Sequence, residues 1–208
     1  MMIADGSMWM GIDGGGTSCR ARLVDRKGAI LGEGAAGAAN LTLGVDVAVA
    51  AIRAAARLAF DRAGLSHSEL MARARAGLGL AGANLPSLAE AIRKVPLGFA
   101  SVVVASDAVT ACLGAHRGRD GAILILGTGS HGLAISNGRA TSVGGWGFAL
   151  ADDASGATLG RSAVRSAIAA CDGLGPRSAL TERIMGGFGH DPAEAAIWAT
   201  TAEPRDYG

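Results

Sequence analysis

From Cys19 to Val24 apolar residues alternate with arginine, the period-2 signature of a half-buried strand. The short apolar run Met8–Ile12 precedes it and ends on Asp13 and three glycines. Asp25-Arg26-Lys27-Gly28 turns the chain behind it, so a hairpin is predicted, with Ala29–Ala35 returning as a third strand. Val45–Ala63 repeats apolar residues at helical spacing and stops at Gly64, a residue suited to the left-handed turn after a helix. Beyond it the pattern alternates: a strand at Ala74–Leu80, a helix at Pro86–Val95, a strand at Ser101–Ala105 and a helix at Ala108–His116.

Three antiparallel strands followed by helix-separated parallel strands is the order of a ribonuclease H-like domain, the α/β unit that actin-like ATPases use twice around a nucleotide cleft. A second copy is therefore expected, and Gly121–Leu126, Gly132–Ser136 and Arg139–Val143 supply three more strands, with Asn137-Gly138 as a two-residue hairpin turn. Ser155–Ala170 reads as the next helix, and Leu180–Gly189 and Pro192–Ala199 as short ones, with no further strand before Gly208. The expected organisation is residues 1–117 as one complete domain and 118–208 as the first part of a duplicate, truncated in this chain. Such a half-built copy would leave an apolar face uncovered.

A 50% apolar composition over 208 residues is ample for a packed core. The net charge of +1 is spread over scattered arginines, which excludes a nucleic-acid stripe or an anionic-membrane surface and leaves a small molecule as the expected partner. No run of about 20 apolar residues could span a bilayer. Met1–Met10 carries Asp5 and lacks a basic start, so no signal peptide is predicted and a cytoplasmic location is expected. Cys19, Cys112 and Cys171 are far apart and lack CxxC spacing, which points to reduced, mostly buried thiols. The four histidines show no metal-ligand spacing, and only His131 is expected near a cleft.

The candidate chemistry begins at Asp13-Gly14-Gly15-Gly16-Thr17. Glycines between two strands let backbone amides approach an anion, and an acid at the strand tip can hold hydrated Mg²⁺ against phosphate oxygens, with Thr17 and Arg20 just beyond. Without a following helix or lysine it is not a Walker A loop, and an ordinary glycine-rich hairpin is the plain alternative. Gly127-Thr128-Gly129-Ser130 has the same character at the matching place in the second copy, so the pair reads as two phosphate turns facing one another. Asp107, after a buried strand and before a helix, can accept a proton from a hydroxyl attacking a phosphoryl group; the competing reading is a helix N-cap. Gly144-Gly145-Trp146-Gly147 with Asp152 and Asp153 suits a sugar, the ring covering a pyranose face and the carboxylates accepting its hydroxyls. The alternatives are that Trp146 is core and that Asp152, Asp153 and Ser155 cap the next helix. Gly77, Gly79 and Gly82 match GxGxxG, but the first two fall inside a strand, so close strand packing is the better reading.

Together Asp13–Thr17, Gly77–Gly82, Ser106-Asp107-Ala108, Gly127–Ser130 and Gly144–Gly147 followed by Asp152-Asp153 resemble the BadF/BadG/BcrA/BcrD-type ATPase family, within it the N-acetylglucosamine and glucosamine kinases. The resemblance runs from about Met8 to the chain's end. It implies ATP and Mg²⁺, with Asp107 as catalytic base, Asp13 as the metal-associated acid, and Gly14, Gly15, Gly16, Thr17, Arg20, Gly127, Thr128, Gly129 and Ser130 at the phosphates. By the same resemblance Asn40, Asp107, Gly145, Trp146, Gly147 and Asp152 meet an amino sugar. Two departures matter: the family reads Gly-Asp-Glu-Gly-Ser where this chain has Ala151-Asp152-Asp153-Ala154-Ser155, and the adenine-binding Gly-Gly segment is not in this chain.

Three functions are compatible with this reading. The first is ATP-dependent phosphorylation of an amino sugar at carbon 6, with domain closure excluding water. The others are a sugar-binding protein without turnover and the ATPase activator of a 2-hydroxyacyl-CoA dehydratase. The activator needs paired cysteines, which the spacing here does not offer. A monomer and a homodimer are both compatible with the sequence.

Overall fold

Strand β1 (Met8–Gly14) organises the first half of the chain. It pairs antiparallel with β2 (Cys19–Val24), which pairs antiparallel with β3 (Ile30–Ala36), and on its other edge it pairs parallel with β4 (Ala74–Leu80), followed in parallel by β5 (Ser101–Ser106). The order β3-β2-β1-β4-β5 is the ribonuclease H-like arrangement expected from the pattern. The computed structural model describes residues 8–67 and 71–208, which divide after Arg119 into two compact units. The reading of Met1–Met10 falls mostly outside the described residues.

Alternation decides the faces. Met8, Met10 and Ile12 on β1, Ala21 and Leu23 on β2, and Leu78 and Leu80 on β4 are buried beneath α1 (Val45–Arg62), which turns Ala48, Ile52, Ala55, Ala56, Ala59 and Phe60 inward. The small residues let the helix lie almost on the sheet. A methyl group on Gly34 would lie 2.8 Å from the Ala59 nitrogen, and one on Gly32 would lie 2.9 Å from the Ala63 nitrogen. Gly64, at φ +67°, closes the helix as predicted, with the Leu65 N–H donating to the Phe60 carbonyl at 3.0 Å. Helix α2 (Pro86–Arg93) buries Ala89 and Ile92.

The opposite sheet face is covered at one end by α3 (Asp107–Ala115), whose Thr110 methyl and Cβ fill the place a side chain on Gly79 would occupy. Gly77 and Gly79 of the GxGxxG match are therefore inside β4, with Gly82 beyond its end, and Gly79 is a notch for a helix. Further along this face Val103 stays 70% exposed.

The second unit holds the antiparallel strands β6 (Gly121–Leu126), β7 (Ser130–Ser136) and β8 (Arg139–Gly144) in that order. Asn137 and Gly138 have φ of 51° and 72°, the left-handed pair a two-residue hairpin requires. Helix α4 (Gly156–Cys171) follows, then α5 (Ala179–Gly186), α6 (Pro192–Ala199) and a last short helix α7 (Pro204–Tyr207) that the sequence reading did not include. Tyr207 joins an aromatic chain, its ring 4.8 Å from Trp198 and 5.5 Å from Phe148, with the Arg161 guanidinium 4.3 Å above Phe148. Leu124, Leu126 and Val143 are 69%, 61% and 75% exposed, an uncovered apolar surface on the three-stranded sheet.

Candidate active site

Parallel pairing places the carboxyl ends of β1, β4 and β5 side by side, with Gly14 opposite Leu80 and Leu80 opposite Ser106. Asp107 therefore emerges on the same sheet edge as the Asp13–Thr17 turn, two strand spacings or about 10 Å from it across the sheet. Asp13 belongs to β1 and stands opposite Arg20 across the hairpin, a registered pair of opposite charges on the face that α3 partly covers. Three loops are sewn together at this edge: the Ala39 N–H donates to the Gly15 carbonyl at 2.9 Å, the Ala81 N–H to Gly14 at 2.8 Å and the Leu41 N–H to Ala81 at 3.0 Å. Gly14 is wedged, since a methyl there would meet Leu80 at 2.6 Å and Ala39 at 2.9 Å, whereas Gly16 faces open space. The Asn40 side-chain carbonyl accepts from both the N–H and the hydroxyl of Thr42 at 2.9 Å, so its NH₂ group is the end left to a ligand.

The N-cap reading of Asp107 needs correction. Ser106 caps α3, its hydroxyl accepting from the Val109 N–H at 3.3 Å, while Asp107 is the first helical residue and its carboxylate accepts the adjacent Ala108 N–H at 2.9 Å. The half-buried carboxylate is thus not needed to start the helix. Cys19, buried at the base of the turn, has its thiol pushed up to about 11, chiefly by burial and secondarily by the Asp13 charge, so it stays protonated and structural at neutral pH. Cys112 is likewise buried and Cys171 is exposed.

In the second unit the turn Gly127–Ser130 is braced by the loop before α4. Asp152, 7% exposed, accepts the Ser130 N–H at 3.2 Å, Ser130 donates its hydroxyl to the Asp153 carbonyl at 2.8 Å, and the Gly156 N–H donates to Gly127 at 2.7 Å. A methyl on Gly129 would sit 3.0 Å from the Asp152 carboxylate, so the acid packs tightly against the turn. The helix cap is Ser155, accepting from the Thr158 N–H at 3.2 Å; neither Asp152 nor Asp153 caps it. Trp146 is 67% exposed, which removes the alternative that it is core and leaves its ring free to cover a ligand.

Ala154 shows the cost of one departure from the family pattern. It sits at φ +61°, a conformation glycine takes freely and alanine does not. Ala154→Gly is expected to stabilise the second unit by about 1 kcal/mol, read as a raised urea midpoint at unchanged slope.

The residues fit the groups a phosphoryl-transfer protein handles. Gly16 and Thr17 are exposed beside an exposed Asp13, and one carboxylate with room for water and phosphate oxygens suits Mg²⁺, which keeps most of its hydration. The sequence matches the BadF/BadG/BcrA/BcrD ATPase family over residues 10–205, and the chain belongs to it. Its two units are successive copies of the ribonuclease H-like fold of the actin-like ATPases, the second represented here by three strands. Among known proteins it is 42% identical over 200 residues to glucosamine kinase GspK of Vibrio cholerae, covering 96% of this chain and 68% of that one. It is 28% identical to an N-acetylmuramic acid/N-acetylglucosamine kinase of Clostridium acetobutylicum, over 85% of this chain and 58% of that one. A crystal structure from Chromobacterium violaceum, assigned as an N-acetylglucosamine kinase, superposes with a TM-score of 0.87 at 35% identity, covering 96% of this chain and 70% of that one. Among the described residues no helix is long and apolar enough to cross a membrane.

Proposed function

We propose that the chain belongs to an ATP-dependent amino-sugar kinase that phosphorylates glucosamine or N-acetylglucosamine at the 6-hydroxyl. The observation that supports this best is Asp107: a half-buried carboxylate on the same sheet edge as the Asp13–Thr17 turn, relieved of helix capping by Ser106. Identity to the Vibrio cholerae glucosamine kinase over nearly the whole chain favours the amino sugar over other acceptors.

In this reading Asp107 takes the proton from the sugar hydroxyl as its oxygen bonds to the γ-phosphorus and the bond to the β-phosphate oxygen breaks, leaving ADP. The Gly15, Gly127 and Ser130 N–H groups are spent within the turns, on Ser18, Gly129 and Asp152, so the amides of Gly16, Thr17, Thr128 and Gly129 donate to phosphate oxygens, and Arg20 adds positive charge beside the first turn. Asn40 donates from its NH₂ group to the sugar, and Trp146 covers the apolar face of the ring. Asp13 would hold a hydrated Mg²⁺, which when bound would neutralise charge on the phosphoryl oxygens. Asp152 acts on the sugar side through the oxygen that Ser130 leaves free, and its other oxygen holds the second phosphate turn in place.

The test is a coupled ADP-release assay with Mg·ATP over a panel of hexoses and hexosamines. Glucosamine and N-acetylglucosamine are expected to stimulate turnover well above glucose, and a flat response across the panel would refute the reading.

A further inference from the structure

His131 sits where the two loops of the second unit meet. It follows the phosphate turn at the start of β7, pairs with Gly144 on β8, and its ring lies directly under Gly145. A methyl on Gly145 would fall 2.9 Å from the ring Cγ, 3.0 Å from Nδ1 and 3.2 Å from Cδ2, so no side chain fits there while the imidazole is present. Gly145 is further fixed at φ +73°, and its N–H donates to the Ser130 carbonyl at 3.0 Å. The next residue is Trp146, exposed. The backbone that carries the indole therefore rests on one imidazole, while the indole itself is not held by burial.

The same imidazole carries a cost. Its Nε2 is buried and has no hydrogen-bond partner among the described residues. An unpaired buried polar atom works against folding, and an apolar ring of similar shape would not suffer it. A residue kept for fold stability alone would not be expected to be this one.

We infer that His131 is a positioning residue for sugar recognition: its ring is the floor on which the Gly145-Trp146-Gly147 turn rests, and it couples that turn to the phosphate turn one residue upstream. The inference rests on the proposed kinase activity. It predicts that shape at position 131 matters to the sugar, whereas stability does not require the histidine.

Two measurements test this. In steady-state kinetics His131→Ala is expected to raise the KM for the amino sugar about tenfold, with kcat and the KM for ATP within about twofold. His131→Phe, which keeps a ring, is expected to restore the sugar KM to within about threefold and to melt no lower than the parent. An unchanged sugar KM in His131→Ala, or a Phe variant as impaired as the Ala variant, overturns the inference. The second measurement is a melting cycle of Gly145→Ala, His131→Ala and the double variant. Removing the ring is expected to recover part of the loss caused by Gly145→Ala, and strict additivity would mean the ring is not the floor. If the parent protein responds to no sugar while the cycle shows coupling, the kinase reading falls and takes the sugar role with it. If the parent turns over and only the His131 predictions fail, the inference alone falls.

Discussion

Asp107→Asn is expected to lower sugar-dependent turnover by about 10²- to 10⁴-fold, the range that removal of a positioned general base produces. The substitution is informative because it is structurally quiet. Helix α3 is capped by Ser106, and the one hydrogen bond the carboxylate receives among the described residues, from the Ala108 N–H, can be made equally well by an asparagine carbonyl. Helix stability changes only by the loss of a negative charge in the first turn, a few tenths of a kcal/mol at a half-exposed site. The expected result is a collapse of kcat with an unchanged melting curve and a KM for ATP close to the parent's. Turnover within a few-fold of the parent would remove Asp107 from the chemistry. Ser106→Ala is the natural contrast, since losing the cap should cost about 1 kcal/mol of stability.

The largest stability effect is expected at Gly34. A methyl group placed there would overlap the Ala55 carbonyl oxygen and lie 2.8 Å from the Ala59 nitrogen, both backbone atoms of α1 that no rotamer change can move. Relief requires lifting the helix off β3, which opens gaps beneath Ile52, Ala55 and Phe60, all fully buried. Gly34→Ala should therefore destabilise the first unit by about 3 kcal/mol, the upper part of the range for overpacked cores. The measurement is urea unfolding with Gly11→Ala as the control, because a methyl on Gly11 meets nothing within 4 Å. Equal midpoints for the two variants would show that α1 does not lie on the glycines as described.

The class of fold was legible in the sequence because its signals are local. Arginine alternation marks β2, Asn137-Gly138 marks a hairpin by the backbone it permits, and Gly64 marks a helix end, each within a few residues of chain. The family motifs are local for the same reason: a glycine turn works through its own amides. Gly79 is the intermediate case. Its presence in an apolar strand argued for close packing, and only the fold reveals that Thr110 is what approaches it.

What the chain alone could not decide were questions of partnership across sequence distance. Two acceptors stood side by side at residues 106 and 107, and either could cap α3; backbone geometry gave the task to Ser106 and so freed the acid. Asp152 and Ser130 are 22 residues apart, and the bond between them exists because the α4 entry loop folds back over the Gly127–Ser130 turn. His131 looked like an isolated histidine until β7 and β8 paired and brought Gly145 onto its ring. Periodicity and glycine placement depend on covalent neighbours, so the sequence determined the elements and their order. Which side chain satisfies which group depends on atoms brought together only by packing, and that was decided by the tertiary structure.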